Sequence, residues 1–289
     1  MKRWTGLVML AACGHSAEKP APGSGSSNGS ATADPWEAKS TAPPTLMLTA
    51  KIELKDAGKE SRQVLAYSPK AGSRDLCFTQ NMVDTHAGAK PETQEMLDAS
   101  KNEICITWKN TPADHLAYTF KITKVRIGAA HLGEDQMSDG EKATIGMIEK
   151  GILASPEGTA KVDTQGRITL NAPGLATQPS APSLLWAYAI PFPAEAVGVG
   201  ATWHVRDVVP EQNAPTDADY TLVSFAGGHA VVQWRRTMKT KNASADSSGE
   251  ASVALDDVMA LTASEDDVMK IEIGGPADQL PTMKIHTAL

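Results

Sequence analysis

The chain has 289 residues, of which 41% are hydrophobic and only 5% aromatic, and its formal net charge is −7. Residues 242–269 hold seven acids and no Lys or Arg. A nucleic-acid binder needs a basic stripe and the sequence shows no strong one, so no nucleic-acid partner is expected, and an anionic membrane surface would repel this region.

The N-terminus reads as an export signal. Lys2 and Arg3 precede a mostly apolar stretch from Trp4 to Ala12, and small residues follow. The stretch is shorter than the roughly 20 apolar residues that span a bilayer. Leu10-Ala11-Ala12-Cys13 resembles the lipobox of bacterial lipoproteins. The resemblance implies a signal peptide over residues 1–12, cleavage before Cys13 and acylation (palmitate or similar) of Cys13. Two or three acyl chains would give lasting anchorage, at about 0.8 kcal/mol per buried CH₂. Gly14 follows where an inner-membrane retention signal would have Asp, and this favours the outer membrane. The expected address is therefore the cell envelope, lipid-anchored at the outer membrane and facing the periplasm or the surface.

Residues 13–44 are the lipidated Cys and a tether of mostly Gly, Ser, Pro, Ala and Thr, with Trp36 its one large apolar residue. Such a segment cannot bury enough surface to offset its ordering entropy and is expected to be disordered. As a flexible coil it would reach roughly 30 Å. Residues 45–289 remain, a length that suits one large β domain or two small ones, and a single domain is expected.

Alternation dominates that domain. "TLMLTAKIELK" sets Leu46, Leu48, Ala50, Ile52 and Leu54 on one face. "HLAYTFKI" sets Leu116, Tyr118, Phe120 and Ile122 inward, and "VVQWRRTMKT" sets Val232, Trp234 and Met238 inward. Period two with one wet face predicts an antiparallel sheet. Asp163-Thr164-Gln165-Gly166 and Gly227-Gly228 predict hairpin turns. The C-terminal strands are expected at "EASVALDD", "VMALTAS", "DVMKIEI" and "TMKIHTA".

Two cysteines remain after Cys13. In "DLCFTQN" and "EICITWK", Cys77 and Cys105 fall on the polar faces of their strands, although unpaired cysteines usually hide in the core. An even pair on wet faces in an oxidising compartment predicts a disulfide. A redox or zinc site of the CxxC type lacks its spacing.

"SDGEKATIGMIEKGIL" breaks the alternation. Ser138 and Glu141 make a capping box, and Ile145, Ile148 and Ile152 recur at helical spacing. One amphipathic helix of about 14 residues is expected, with Lys150 in its last turn and its stripe on the apolar face of the sheet. "APGLATQPSAP", residues 172–182, is a long loop.

"LAYSPKAGSRDLCFT", "AKVDTQGRITL" and "PFPAEAVGVGATWHV" resemble segments of a family of uncharacterised bacterial lipoproteins. That family is distantly similar to periplasmic lipid carriers of the LolA, LolB and LppX type. The resemblance implies a mainly β fold: a strongly curved antiparallel half-barrel with the helix packed on its concave face, where an acyl chain is held.

Other motifs carry little. "GVGATW" has Trp203 where a dinucleotide fingerprint needs its third Gly, and a strand follows, so it reads as a turn with Trp203 plugging the core. The seven histidines show no i, i+4 pair and no His-Glu-x-x-His, so no metal is expected. Asp256-Asp257 and Glu265-Asp266-Asp267 read as turn acids at strand ends, since the alternate spacing of a calcium loop is missing. No nucleophile elbow is present. The expectation is a non-enzymatic envelope lipoprotein without cofactor, binding an acyl chain or other apolar ligand. Trp108, Phe120, Ile145, Ile148, Ile152, Trp234 and Met238 are the candidate lining. The alternative is that these side chains form a filled core in a structural or protein-interaction module. The expected partners are the membrane, through Cys13, and either the apolar ligand or an envelope protein.

Overall fold

The computed structural model describes residues 45–47, 51–85, 99–110, 114–129, 138–154, 157–171, 190–209, 214–239, 243–271 and 282–289. The signal peptide, Cys13, the tether and the 172–182 loop lie outside the described residues. Among the described residues thirteen strands form one sheet: β1 (Thr45–Met47), β2 (Lys51–Asp56), β3 (Ser73–Thr85), β4 (Ala99–Asn110), β5 (Ala117–Ala129), β6 (Glu157–Val162), β7 (Ile168–Asn171), β8 (Thr202–Val209), β9 (Ala214–Ala226), β10 (His229–Lys239), β11 (Ala243–Ala254), β12 (Ala260–Ile271) and β13 (Thr282–Ala288). Helix α1 (Asp139–Ala154) lies between β5 and β6. Among the described residues no helix is long and apolar enough to cross a membrane.

The sheet is antiparallel, in the order β1-β7-β6-β5-β4-β3-β13-β12-β11-β10-β9-β8-β2. It is not closed into a barrel, because β1 and β2 are its two edges. Those edges nevertheless follow one another in the chain. The four steps from Met47 to Lys51 reach at most about 14 Å, so the sheet has to curl until its edges nearly meet.

One end of the curled sheet is capped. The segment after β2 crosses it, pairing Gln63 with Val197, donating from Tyr67 N to Thr164 O (2.8 Å) and from Ser68 N to Leu255 O (2.7 Å). Phe192 N donates to Gln165 O (2.8 Å). Turns from separate parts of the sheet are thus tied to one plug. Leu65, Tyr67, Ile190, Phe192, Val197 and Trp203 fill it and are fully buried. The Tyr67 hydroxyl donates to Ile190 O (3.1 Å) and Trp203 Nε1 to Pro191 O (2.8 Å), which satisfies both polar tips. Gly166 turns the β6–β7 hairpin with φ 84°, and a Cβ there would stand 2.3 Å from Ile190 O, so only glycine fits.

The predicted hairpins form, with Gly227 and Gly228 at φ 60° and 81° between β9 and β10. Alternation holds through β5 until a bulge opposite Cys105/Ile106. Beyond it the inward set shifts from Phe120 and Ile122 to Val125. Two expectations are corrected. One strand, β12 (Ala260–Ile271), takes in most of "VMALTAS" and of "DVMKIEI", and Glu265-Asp266-Asp267 lie in its middle, not at strand ends. Backbone pairing on both sides, with β11 and β13, holds the acids inside the ladder. Helix α1 also runs past Gly151 to Ala154, so Lys150 is not in its last turn.

Candidate functional site

Away from the cap, the inner face of the sheet changes character. Register places its side chains in rows that run across the strands. One row reads Trp203, Tyr220, Trp234, Gly249, Glu265, Thr287, Gln80 and Asn102, each the register partner of the next. Its first half is aromatic: Trp203 and Tyr220 stack at 5.7 Å, and Tyr220 and Trp234 meet at 6.4 Å. Its second half is polar. The next row out reads Ala218, Arg236, Ser247 and Asp267, and the one beyond it Met238, Ala245 and Met269.

Gly249 allows the junction between the two halves. A Cβ there would lie 2.3 Å from the Trp234 ring. Without it the indole lies across β11, and its Nε1 donates to Glu265 Oε1 (3.2 Å) on the strand beyond. Arg236 approaches the same carboxylate at 3.4 Å. Ser247 donates to Asp267 Oδ1. Gln80 Nε2 reaches Thr287 Oγ1, and Asn102 Nδ2 reaches Gln80 Oε1, each at 3.5 Å. The result is a polar belt across β10, β11, β12, β13, β3 and β4, with Glu265, Thr287 and Asn102 buried and the Arg236 side chain 20% exposed.

Burial sets the electrostatics of the belt. It raises the Glu265 carboxyl above its ordinary range, against the pull of the Arg236 charge. It raises Asp267 likewise, against the Ser247 hydrogen bond and Arg236. For Arg236 burial acts to lower the pKa, but Glu265, Tyr220 and Asp267 outweigh it and keep the guanidinium protonated. One fixed cation therefore faces two carboxyls with a raised affinity for protons. That arrangement can hold a polar group through hydrogen bonds and can take up or release a proton.

The predicted lining residues divide into separate groups. Trp108 and Phe120 stack at 5.9 Å in the packed core, and Trp108 stacks on Tyr118 at 4.9 Å. Trp234 is also buried, but on β10, five strands from β4 in the sheet order. Met238 is half-buried, one row beyond Arg236. Ile145 and Ile152 are buried on α1, with Ile152 joined to the main core, while the side chain of Ile148 lies outside the described residues. Helix α1 meets β5 at its free edge. β6 pairs with β5 only over Ala117–Lys121, and beyond that the Glu149 carboxylate accepts from Ile127 N (2.9 Å).

Arg236, Ser247, Glu265, Asp267, Thr287, Gln80 and Asn102 were not among the predicted residues. Their signal was parity. Arg236 is in phase with Trp234 and Met238, and Glu265 and Asp267 with Ala263 and Met269. Polar residues in apolar phase mark either a site or a buried network. The disulfide forms between Cys77 and Cys105. Neither a protein-family model nor a curated protein matches the chain.

Proposed function

We propose that this chain is a lipid-anchored binding module of the cell envelope that takes an amphipathic small molecule in the concave face of its sheet. The observation that carries this reading is the polar belt set beside half-buried apolar side chains. Met238 and Met269 lie one row beyond Arg236 and Asp267, and Ile104 and Ile127 flank Asn102; all four stay only partly buried. An apolar wall with a few convergent polar groups is the usual make-up of a small-molecule site. The belt would fix the polar head, and the methionines and isoleucines would take the chain, with α1 covering the concave face. The role is binding and not catalysis. The belt's charges already have partners, Arg236 in an ion pair with Glu265 and Asp267 in a hydrogen bond from Ser247. This refines the acyl-chain expectation by giving the ligand a polar end. The anchor rests on the Lys2-Arg3, apolar run and Cys13 pattern.

The test uses the full chain with Cys13→Ser, exported and purified without detergent. The wild type should sediment with membranes and the variant should not; equal partition would refute the anchor. Native mass spectrometry of the variant should show an extra mass that organic extraction removes. A clean protein mass would reject the ligand and favour an interaction module.

A further inference from the structure

β3 and β4 gather a second group of side chains on the opposite, outward face of the sheet. Cys77 and Cys105 are direct register partners with Cα atoms 4.1 Å apart. Glu103 shares their face, and its Oε1 lies 3.8 Å from Cys105 Sγ. Lys124 Nζ holds the other carboxylate oxygen at 2.7 Å. The two sulfurs and the Glu103 oxygen lie within 4.8 Å of one another, and no other such trio is found among the described residues. Cys77 is exposed and Glu103 partly so, which leaves an approach from solvent on their side, whereas Cys105 is buried and not on a wet face as its phase predicts.

Spacing along the chain argues against a metal site here, but ligation depends on distance in space. A tetrahedral ion bonded to sulfur at about 2.3 Å wants its two sulfurs roughly 3.8 Å apart. Cross-strand neighbours meet that by side-chain rotation once the S–S bond opens. The strands stay paired meanwhile, because their ladder runs from Ser73↔Lys109 to Val83↔Ala99 on either side. Charge also balances. Two thiolates and a carboxylate around a divalent ion leave one negative charge, and Lys124 offsets it.

We propose that Cys77, Cys105 and Glu103 form a redox-gated site for a thiophilic divalent metal ion of the zinc class. In the oxidised chain the disulfide closes the site. A dithiol reductant opens it: the S–S bond gains two electrons and two protons, and the dithiol becomes a disulfide. Each thiol then loses its proton as its sulfur binds the ion. Glu103 supplies the third bond, and water completes the tetrahedron. Thiolate ligands select such an ion over magnesium or calcium.

The experiment titrates zinc into the full chain with Cys13→Ser, first oxidised and then reduced anaerobically with a phosphine that is removed before titration. Native mass spectrometry counts the metal, and a chromophoric chelator competes for it. The expected result is one zinc per reduced chain and none per oxidised chain. Glu103→Gln, which leaves both cysteines in place, should weaken the reduced site about tenfold or more, the scale on which even outer-shell partners act. Far-UV circular dichroism should show the sheet intact after reduction. The proposal is overturned if the reduced chain takes no zinc, if the oxidised chain binds equally, if Glu103→Gln binds as tightly as the wild type, or if reduction unfolds the sheet.

Discussion

Towards the capped end, the inside of the sheet is apolar and dry. Trp203, Phe192, Leu222 and Val232 are fully buried, and a run of rings from Tyr67 through Phe192, Trp203 and Tyr220 fills the space. One row beyond Val232 stands Glu265 on β12, and two rows beyond it Arg236 on β10 and Asp267 on β12, all in inward positions of the same parity. The backbone treats both ends alike; only the side chains differ. The capped end is explained by stability alone, since each large buried side chain contributes about 1.5–3 kcal/mol. The belt is not. Burying charges costs several kcal/mol per ion before their mutual attraction is counted, and an apolar replacement of such a set is often neutral or stabilising. Residues kept at that cost point to a use.

Three substitutions sharpen the contrast. Trp203→Ala at the capped end removes a fully buried ring and its hydrogen bond to Pro191. It should cost about 3–5 kcal/mol in urea unfolding, with little change between pH 5 and pH 8. A strong pH dependence there would blur the distinction between the two ends.

Arg236→Met in the belt should behave differently. It leaves Glu265 and Asp267 without their cation, and should cost about 3 kcal/mol near pH 8. Both carboxyls already have raised pKa values in the folded state. Their contribution to stability is full below the ordinary carboxylate range and is lost as pH rises through the raised values. Removing Arg236 raises those values further, so the penalty should shrink as pH falls towards 5. A pH-independent penalty would show that the acids do not titrate against Arg236. The smallest effect belongs to the junction. Gly249→Ala would push the Trp234 ring from β11 and break its bond to Glu265, at about 1–3 kcal/mol. Near-ultraviolet circular dichroism should report the displaced indole, and an unchanged spectrum would contradict the packing of Trp234 over Gly249.

Much of this architecture was legible in the sequence. Period two gave the strands, and Gly166 and Gly228 the turns, because each of these depends on neighbours a few residues away; the cysteine pairing, between residues 28 apart in sequence, followed instead from there being two of them on the polar phase of strands. The belt was harder to read. Glu265-Asp266-Asp267 has the composition of a turn, and only pairing with β11 and β13 shows that the chain continues through it as a strand. Trp234 was visible as an inward ring. Its contact with Glu265 depends on a glycine fifteen residues away in sequence, Gly249, lying on the strand between them. Ligation by Glu103 and the cysteines was likewise hidden, because register and not spacing brings them together.

A belt kept for a ligand and not for the fold should be removable without loss of stability. The most direct measurement is the bound mass carried by the triple variant Arg236→Met, Glu265→Leu, Asp267→Leu on the Cys13→Ser chain, by native mass spectrometry, with urea unfolding on the same sample. The expected result is a chain at least as stable as its parent that has lost the extractable ligand. A destabilised chain that still carries the same ligand would contradict it and make the belt a structural device.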